Sequence, residues 1–272
     1  MKKAFFAMAL YVSALFLPQH LVVGQTINEK PLQELFQTET VYSQERRETQ
    51  ITLGSNFCTR AEGKLFQTPV AFEYGLIDNW EISLEWVARS QLSTATTKTS
   101  GAGDLRIGTK YSWMNIGGSN LHMAAGFELG VPSGNVEKGL SEGKVEYEPY
   151  VVVAKDFPRL SRLQVFTQVA VALSRSEANV AGDKAVDKTI EWNNGLFVVH
   201  GRARFTTEVN WSKSDTENSV YLTPGIIWKL PRDLEFGVGL PVGLSRDADR
   251  FRSIVKIVYE FGGAKRSAEG HK

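Results

Sequence analysis

The feature that most constrains the fold is a strict alternation of apolar and polar residues between Trp80 and Trp86. Apolar side chains stand at every second position there, and Glu81, Ser83 and Glu85 lie between them. Successive side chains of an extended strand point to opposite faces of a sheet, so this alternation predicts a strand with one apolar and one charged face.

The same alternation continues through most of the chain. Leu105, Ile107 and Tyr111 oppose Arg106 and Lys110 in the following strand, and later stretches repeat the pattern. Short turns follow the even strands and longer polar loops follow most of the odd ones, which is typical of outer-membrane barrels. We therefore predict an all-β fold, a transmembrane antiparallel up-and-down β-barrel of twelve strands with both termini in the periplasm.

The two ends of the chain differ from this pattern. Residues 1–24 combine a basic start with an apolar run and a small residue, which predicts a secretory signal peptide. An amino-terminal membrane anchor is disfavoured, because Pro18 and His20 interrupt the apolar run. The barrel is predicted at residues 47–262, and residues 263–272 form a polar tail.

Residues 25–46 carry no alternation and are predicted to form an amino-terminal periplasmic segment. Two interpretations are open for this segment. A flexible lead-in to the barrel is the favoured one, and a plug that enters the barrel and gates a pore is the alternative. The position of the segment relative to the barrel decides between them.

Composition limits the partners and the chemistry. The formal net charge is +1, which argues against nucleic acid as a partner. Cys58 is the single cysteine, so no intrachain disulfide and no thiolate metal cluster can form. Histidines do not cluster at ligand spacing, and we expect neither a metal nor a cofactor. The expected partners are outer-membrane lipid, small-molecule solutes and the barrel-assembly machinery of a Gram-negative bacterium.

The charged residues that share the polar phase of the strands are predicted to line the lumen. Both signs occur among them, which predicts weak ion selectivity. For any single residue, the simpler interpretation is a solvated inner face whose charges neutralise one another. The predicted lining consists of Glu81, Glu85, Asp104, Arg106, Lys110, Glu128, Glu146, Glu148, Arg204, Glu208, Glu235, Arg252, Lys256 and Glu260.

A soluble β-sandwich or lipocalin-like barrel would use the same alternation with its apolar face inward. The position of aromatic residues argues against it, because Trp80, Trp113 and Trp228 stand near predicted strand ends, where membrane-interface girdles lie. A lipid hydrolase would need a Ser–His pair at the lipid-facing rim, and neither His122 nor His200 has an outward serine nearby. The chain is therefore predicted not to be an enzyme, and no catalytic residue is assigned.

Several short motifs resemble an outer-membrane family named after the meta-cleavage (MetA) pathway of phenol degradation. They lie at residues 74–81 (YGLIDNWE), 101–105 (GAGDL), 108–111 (GTKY), 222–225 (LTPG) and 240–244 (LPVGL). The resemblance extends over roughly residues 48 to 261 and contains no catalytic motif. It implies a channel in the bacterial outer membrane, similar to transporters of hydrophobic compounds.

Together these observations predict an outer-membrane channel or transporter for passive passage of small solutes, with apolar or aromatic compounds as candidate cargo. A structural or adhesion barrel with a blocked lumen is the alternative. An outer-membrane lipid hydrolase is a third and weaker hypothesis.

Overall fold

A computed structural model describes residues 30, 32–60, 63–160, 162–176 and 186–263 of the chain. The predicted signal peptide and the polar tail beyond residue 263 lie outside the described residues. Within the described part, no helix is long and apolar enough to cross a membrane.

Long antiparallel strands make up nearly all of the structure, and one 3-10 turn at Ile116–Gly118 lies between two of them. The strands are β1 (Glu48–Thr59), β2 (Gly63–Ile77), β3 (Trp80–Thr94), β4 (Lys98–Gly101), β5 (Leu105–Trp113), β6 (Leu121–Val131), β7 (Lys144–Phe157), β8 (Leu163–Ser176), β9 (Val186–His200), β10 (Ala203–Lys213), β11 (Asn218–Leu230), β12 (Leu234–Gly239), β13 (Val242–Gly243) and β14 (Phe251–Gly262).

The strands close into a barrel. Neighbours in the chain pair with each other, β10 pairs with β11, and the last strand β14 pairs with the first strand β1 from Glu48↔Gly262 to Thr59↔Phe251. The short strands β4 and β13 continue the lines of β5 and β12, because each pair of strands lies along the same neighbour. The wall therefore has twelve strand positions. The predicted closed antiparallel barrel of twelve strands is confirmed, and the pairing of β1 with β14 removes the two open edges that a flat sheet would have.

The distribution of polar and apolar side chains is the reverse of that in a soluble protein. Leu53 and Phe205 on the outer face are each 50% exposed, and Trp86 is 44% exposed. On the inner face, Gln50 and Glu208 are fully buried. A soluble barrel would bury the first set and expose the second. The soluble alternative is therefore wrong, and the outer face is suited to lipid.

The two ends of the barrel differ. One end, which we call the turn end, carries the tight connections after β2, β5, β7, β9 and β11, as well as both ends of the described wall. Asn79 and Arg232 adopt positive φ angles of 66° and 67° in two of these turns. The opposite loop end carries the longer segments, including residues 132–143 and 244–250.

Aromatic side chains gather on the outer face near the turn end. Tyr111 and Trp113 meet edge to face with ring centroids 4.8 Å apart, and Trp228 stacks on Phe236 at 6.1 Å. Tyr259 stacks on Phe261 at 5.5 Å. Aromatic rings in such a band match the girdle found where barrels meet the membrane interface.

Candidate functional site

The interior of the barrel is occupied by the chain's own amino-terminal part. Lys30 and residues 32–47, which we call the inner segment, enter from the turn end, reach about the middle of the barrel and return to the start of β1. Leu32 and Val41 are 0% and 1% exposed, although the segment has no regular secondary structure. Its hydrogen-bond partners lie on strands from all around the wall, so the segment is surrounded by the barrel.

Glu208 on β10 is the main acceptor for the turning point of the segment. Its carboxylate accepts hydrogen bonds from the backbone N–H groups of Phe36 and Gln37, both at 3.0 Å, and from the hydroxyl of Thr38 at 2.7 Å. An irregular segment inside a barrel leaves its backbone donors unpaired unless the wall supplies acceptors. Glu208 meets that need at the deepest point of the inner segment.

The ring of Phe36 fits into a gap in the wall that exists because three inward positions are glycine. A Cβ at Gly225 would overlap the ring, and one at Gly239 would lie 2.5 Å from its Cγ. A Cβ at Gly237 would come within 3.2 Å of the ring. Ile227 and Ile254 complete the apolar contact. We call this gap the glycine socket, and any side chain larger than hydrogen at Gly225 or Gly239 would expel the ring.

Two lysines hold the first part of the inner segment. Lys256 on β14 donates from Nζ to the Glu34 carboxylate at 2.6 Å and to the Leu35 carbonyl oxygen at 2.8 Å. At the turn end, the Nζ of Lys30 lies 2.8 Å from carboxylate oxygens of both Glu48 and Glu260. Ion pairs thus tie the segment to β1 and β14, the first and last strands, whose pairing forms the seam that closes the barrel.

The returning part of the segment contacts strands β3 and β5 of the wall. Gln44 donates its backbone N–H to Glu81 at 2.7 Å, and the other oxygen of Glu81 lies 2.9 Å from the Nζ of Lys110. The same Nζ lies 3.3 Å from the carboxylate of Glu39. Lys110 therefore links a carboxylate of the wall, Glu81, to a carboxylate of the inner segment, Glu39.

Tyr42 closes a polar cluster near the turn end. Its hydroxyl accepts a hydrogen bond of 2.5 Å from the side-chain amide of Gln164, which also donates to Asp156. The second oxygen of Asp156 lies 3.0 Å from Nε2 of His122. Burial and the Asp156 charge raise the pKa of the Tyr42 hydroxyl well above its ordinary value, so this hydroxyl is neutral.

Beyond the turning point, the loop half of the lumen keeps a polar cavity of about 290 Å³. Arg106 dominates it and lies 2.8 Å from Glu146, 3.3 Å from Glu128 and 3.4 Å from Glu148. The Arg106 side chain is 44% accessible, so solvent reaches this cluster. Glu85 also lines the cavity.

The predicted lumen residues fall into three sets in the structure. Glu81, Lys110, Glu208, Glu235, Lys256 and Glu260 contact the inner segment. Glu85, Arg106, Glu128, Glu146 and Glu148 belong to the cavity or its Arg106 cluster. The remaining three have other contacts: Asp104 accepts from the Gly134 backbone in a loop, Arg204 donates to the Arg202 carbonyl and lies near Glu235, and Arg252 binds Asp249 and covers the Tyr221 ring at the loop end.

Several wall residues that hold the segment carry no charge and were missing from the predicted set. Gln37 bonds to Asn210 and Thr223, and the backbone N–H of Glu39 donates to Gln168. Asn210, Thr223 and Gln168 occupy the same inward-facing positions of their strands as the charged residues do. This alternation is the sequence signal that could have identified them. Among the described residues, no group of three or more His, Cys, Asp or Glu side chains could hold a metal ion.

Known structures with the same fold are outer-membrane channels and porins. An outer membrane channel from Pseudomonas putida F1 superposes with a TM-score of 0.62 at 13% identity, over 80% of this chain and 97% of that one. The KdgM porin gives 0.52 at 12% identity, over 78% and 99%. The NanC porin gives 0.51 at 13% identity, over 76% and 97%. At these identities the likeness establishes the fold alone.

Comparison of the sequence with family models gives a more specific result than the structural comparison. Comparison with curated proteins gives no match. The resemblance to the MetA-pathway family is not confirmed, since the family model that matches is a different one. That model is described as HAEPLYID-like and matches residues 44–260, and the chain belongs to the HAEPLYID-like family.

Proposed function

We propose that this protein is a gated outer-membrane channel for small solutes, and that the inner segment is its gate. The observation that carries the proposal is a barrel with an apolar outer face whose polar lumen is filled, over the turn half, by a segment without regular structure. Passage is passive and requires the segment to leave its position. Eleven of the fourteen charged residues predicted from the sequence then line the path or hold the gate.

The outer membrane is the proposed location. The apolar outer face and the aromatic band at the turn end support it, as does the porin-like fold. In this proposal the turn end, with both chain ends, faces the periplasm, because bacterial barrels have short periplasmic turns and longer external loops. Outer-membrane lipid and the barrel-assembly machinery are the corresponding partners, and the host is a Gram-negative bacterium whose secretion machinery removes residues 1–24.

The polar contacts of the inner segment are of a kind that water can replace. Glu208, Glu235 and Lys256 hold it through hydrogen bonds to charged groups, and each of these wall groups would be hydrated in an open lumen. The glycine socket holds one apolar ring, Phe36. Leu32, Leu35 and Val41 also pack against apolar side chains of the wall, so release exposes apolar surface to water and the closed state is favoured.

Apolar or aromatic compounds are the proposed cargo, and this part rests on the resemblance to the MetA-pathway family. The lumen wall is mostly polar, with an apolar patch formed by Ala124, Val152, Phe166 and Phe197 on its inner face, so such solutes would have to be small. The chain is proposed to have no enzymatic activity.

A reversible cross-link between gate and wall tests the proposal. Phe36 Cγ lies 2.5 Å from where a Cβ on Gly239 would stand, so cysteines at these positions bring two sulfur atoms within disulfide reach. In a Cys58→Ala background, the Phe36→Cys/Gly239→Cys protein is refolded into liposomes. Uptake of small sugars and amino acids is then measured by liposome swelling, and conductance is measured in planar bilayers.

We expect solute flux in the reduced protein and strongly lower flux after oxidation. Addition of a reductant should restore the flux. The Phe36→Cys single variant is the matched control and should not respond to oxidation. Equal flux in both redox states of the double variant would refute gating by the segment. Absence of any flux, even with a reductant, would refute the channel and favour a structural barrel with a blocked lumen.

A further inference from the structure

We infer that the glycine socket and Glu208 together form a binding site for arylalkylamines, and that Phe36 occupies this site in the closed state. The inference rests on the proposed function and names a solute class for it. In Phe36, the aromatic ring is joined through two carbon atoms to a backbone nitrogen. The ring sits in the socket while that nitrogen donates to Glu208 at 3.0 Å.

The socket selects a flat ring by its shape. Gly225 and Gly239 are register partners on β11 and β12, so the two missing side chains are adjacent. Thr206 on β10 is the register partner of Gly225 on its other side. Gly225 and Gly239 therefore form a short strip of bare backbone, and the Thr206 side chain stands at one end of it. Ile227 and Ile254 supply apolar walls for a ring lying on it.

Glu208 selects the amine. Its carboxylate is 0% exposed and takes three hydrogen bonds, from two backbone N–H groups and one hydroxyl of the segment. A primary ammonium group carries three N–H donors on one atom and a full positive charge. Among the described residues no cation contacts Glu208 directly in the closed state, and Lys256 acts on it only from a distance. Neutral donors satisfy Glu208 in the closed state. An ammonium ligand would satisfy it and also neutralise it.

Thr206 gives independent support for a ligand other than Phe36. Its Oγ1 is buried and has no hydrogen-bond partner in the described part of the chain, and the residue is 3% exposed. The same atom lies 2.7 Å from where a Cβ on Gly225 would stand, which places it beside the ring. A phenyl ring leaves it unpaired at a free-energy cost, whereas a ring hydroxyl would pair with it. Ring-hydroxylated amines should therefore bind better than unsubstituted ones.

Equilibrium binding to the full-length protein in nanodiscs tests the site without relying on flux. The probes are 2-phenylethylamine, its ring-hydroxylated analogue tyramine, uncharged 2-phenylethanol and ethylamine, which has no ring. Calorimetry is done on the natural protein and on Phe36→Ala, in which the segment no longer competes for the socket. Two further variants, Phe36→Ala/Glu208→Gln and Phe36→Ala/Gly239→Ala, remove the amine contact and fill the socket. Heat-modifiable mobility on SDS gels verifies that each variant is folded.

We expect Phe36→Ala to bind 2-phenylethylamine about tenfold more tightly than the natural protein, because competition from the segment is removed. Tyramine should bind more tightly still. Each double variant should lose about tenfold or more. If 2-phenylethanol binds Phe36→Ala as well as the amine does, the site is only an apolar cavity and the inference is overturned. Absence of amine binding in folded Phe36→Ala also overturns it, and leaves the channel proposal, which is judged by flux, untouched.

Discussion

The Nζ of Lys110 lies 2.9 Å from the carboxylate of Glu81, and both side chains are almost completely buried inside the barrel, at 5% and 4% accessibility. The two residues are register partners on β5 and β3. A buried ion pair contributes little compared with apolar neighbours of the same size, but the loss of one partner leaves an uncompensated charge.

We expect Lys110→Met to destabilise the folded barrel by about 3 to 5 kcal/mol, because it leaves Glu81 buried without its counter-charge. The double variant Glu81→Gln/Lys110→Met should recover a large part of this loss. Urea titrations of the refolded proteins, followed by tryptophan fluorescence, measure both effects. Equal destabilisation by the single and double variants would show that the ion pair is not what stabilises this region.

The pair formed by Lys256 and Glu34 predicts how tightly the gate is held. Lys256→Met removes two hydrogen bonds to the segment, one of them to a carboxylate, with an expected loss of about 1.5 to 3 kcal/mol. The open fraction should rise roughly ten- to a hundredfold, measured as open probability in single-channel recordings. Lys213→Met, at an exposed position outside the lumen, is the matched control and should leave the open probability unchanged.

Arg106 is expected to influence whether the channel prefers cations or anions. It compensates Glu128, Glu146 and Glu148, so Arg106→Ala leaves these three carboxylates without the cation that pairs with them. The reversal potential in a potassium chloride gradient should shift toward the potassium equilibrium potential, and more so at low ionic strength because salt screens the charges. Lys144→Ala, which removes a cation paired with exposed Asp187, should shift it less. An unchanged reversal potential would mean that ions do not pass this cluster.

The outer face predicts a depth-dependent cost of charge. Leu84 lies near the middle of the apolar outer stretch of β3, whereas Trp80 begins the strand in the aromatic band. Leu84→Arg should cost about 2 to 4 kcal/mol of stability in a bilayer, and Trp80→Arg about 0 to 1 from the charge alone. Folding titrations into lipid vesicles measure the two variants side by side. A larger loss for Trp80→Arg would contradict the proposed position of the membrane.

The barrel was predictable because the period of two assigns every strand residue to one of two faces. Trp80 and Trp86 lie outside and Glu81 lies inside, as the alternation requires, and the same phase placed Lys110 and Glu208 inside. The contacts of the inner segment were not predictable in this way. That segment has no period, and its partners are far away in the chain, as with Phe36 and Glu208.

One signal for the glycine socket was present in the sequence. The inner face of β12 carries Gly237 and Gly239 where other strands carry side chains, and Gly225 stands opposite on β11. Missing side chains on an inner face leave room that something else must fill. The sequence does not say that the occupant is Phe36, because that depends on where an irregular segment turns.

The connection at Arg47 has a mechanical consequence. Arg47 donates its N–H to the Gly75 carbonyl and accepts from Gly263, so the inner segment continues directly into the seam between β1 and β14. A force that draws the segment out through the turn end acts along the axis of β1. It loads the β1–β14 hydrogen bonds in shear, all at once, and does not peel them apart one by one. The segment can therefore be extracted by force while the wall resists tearing.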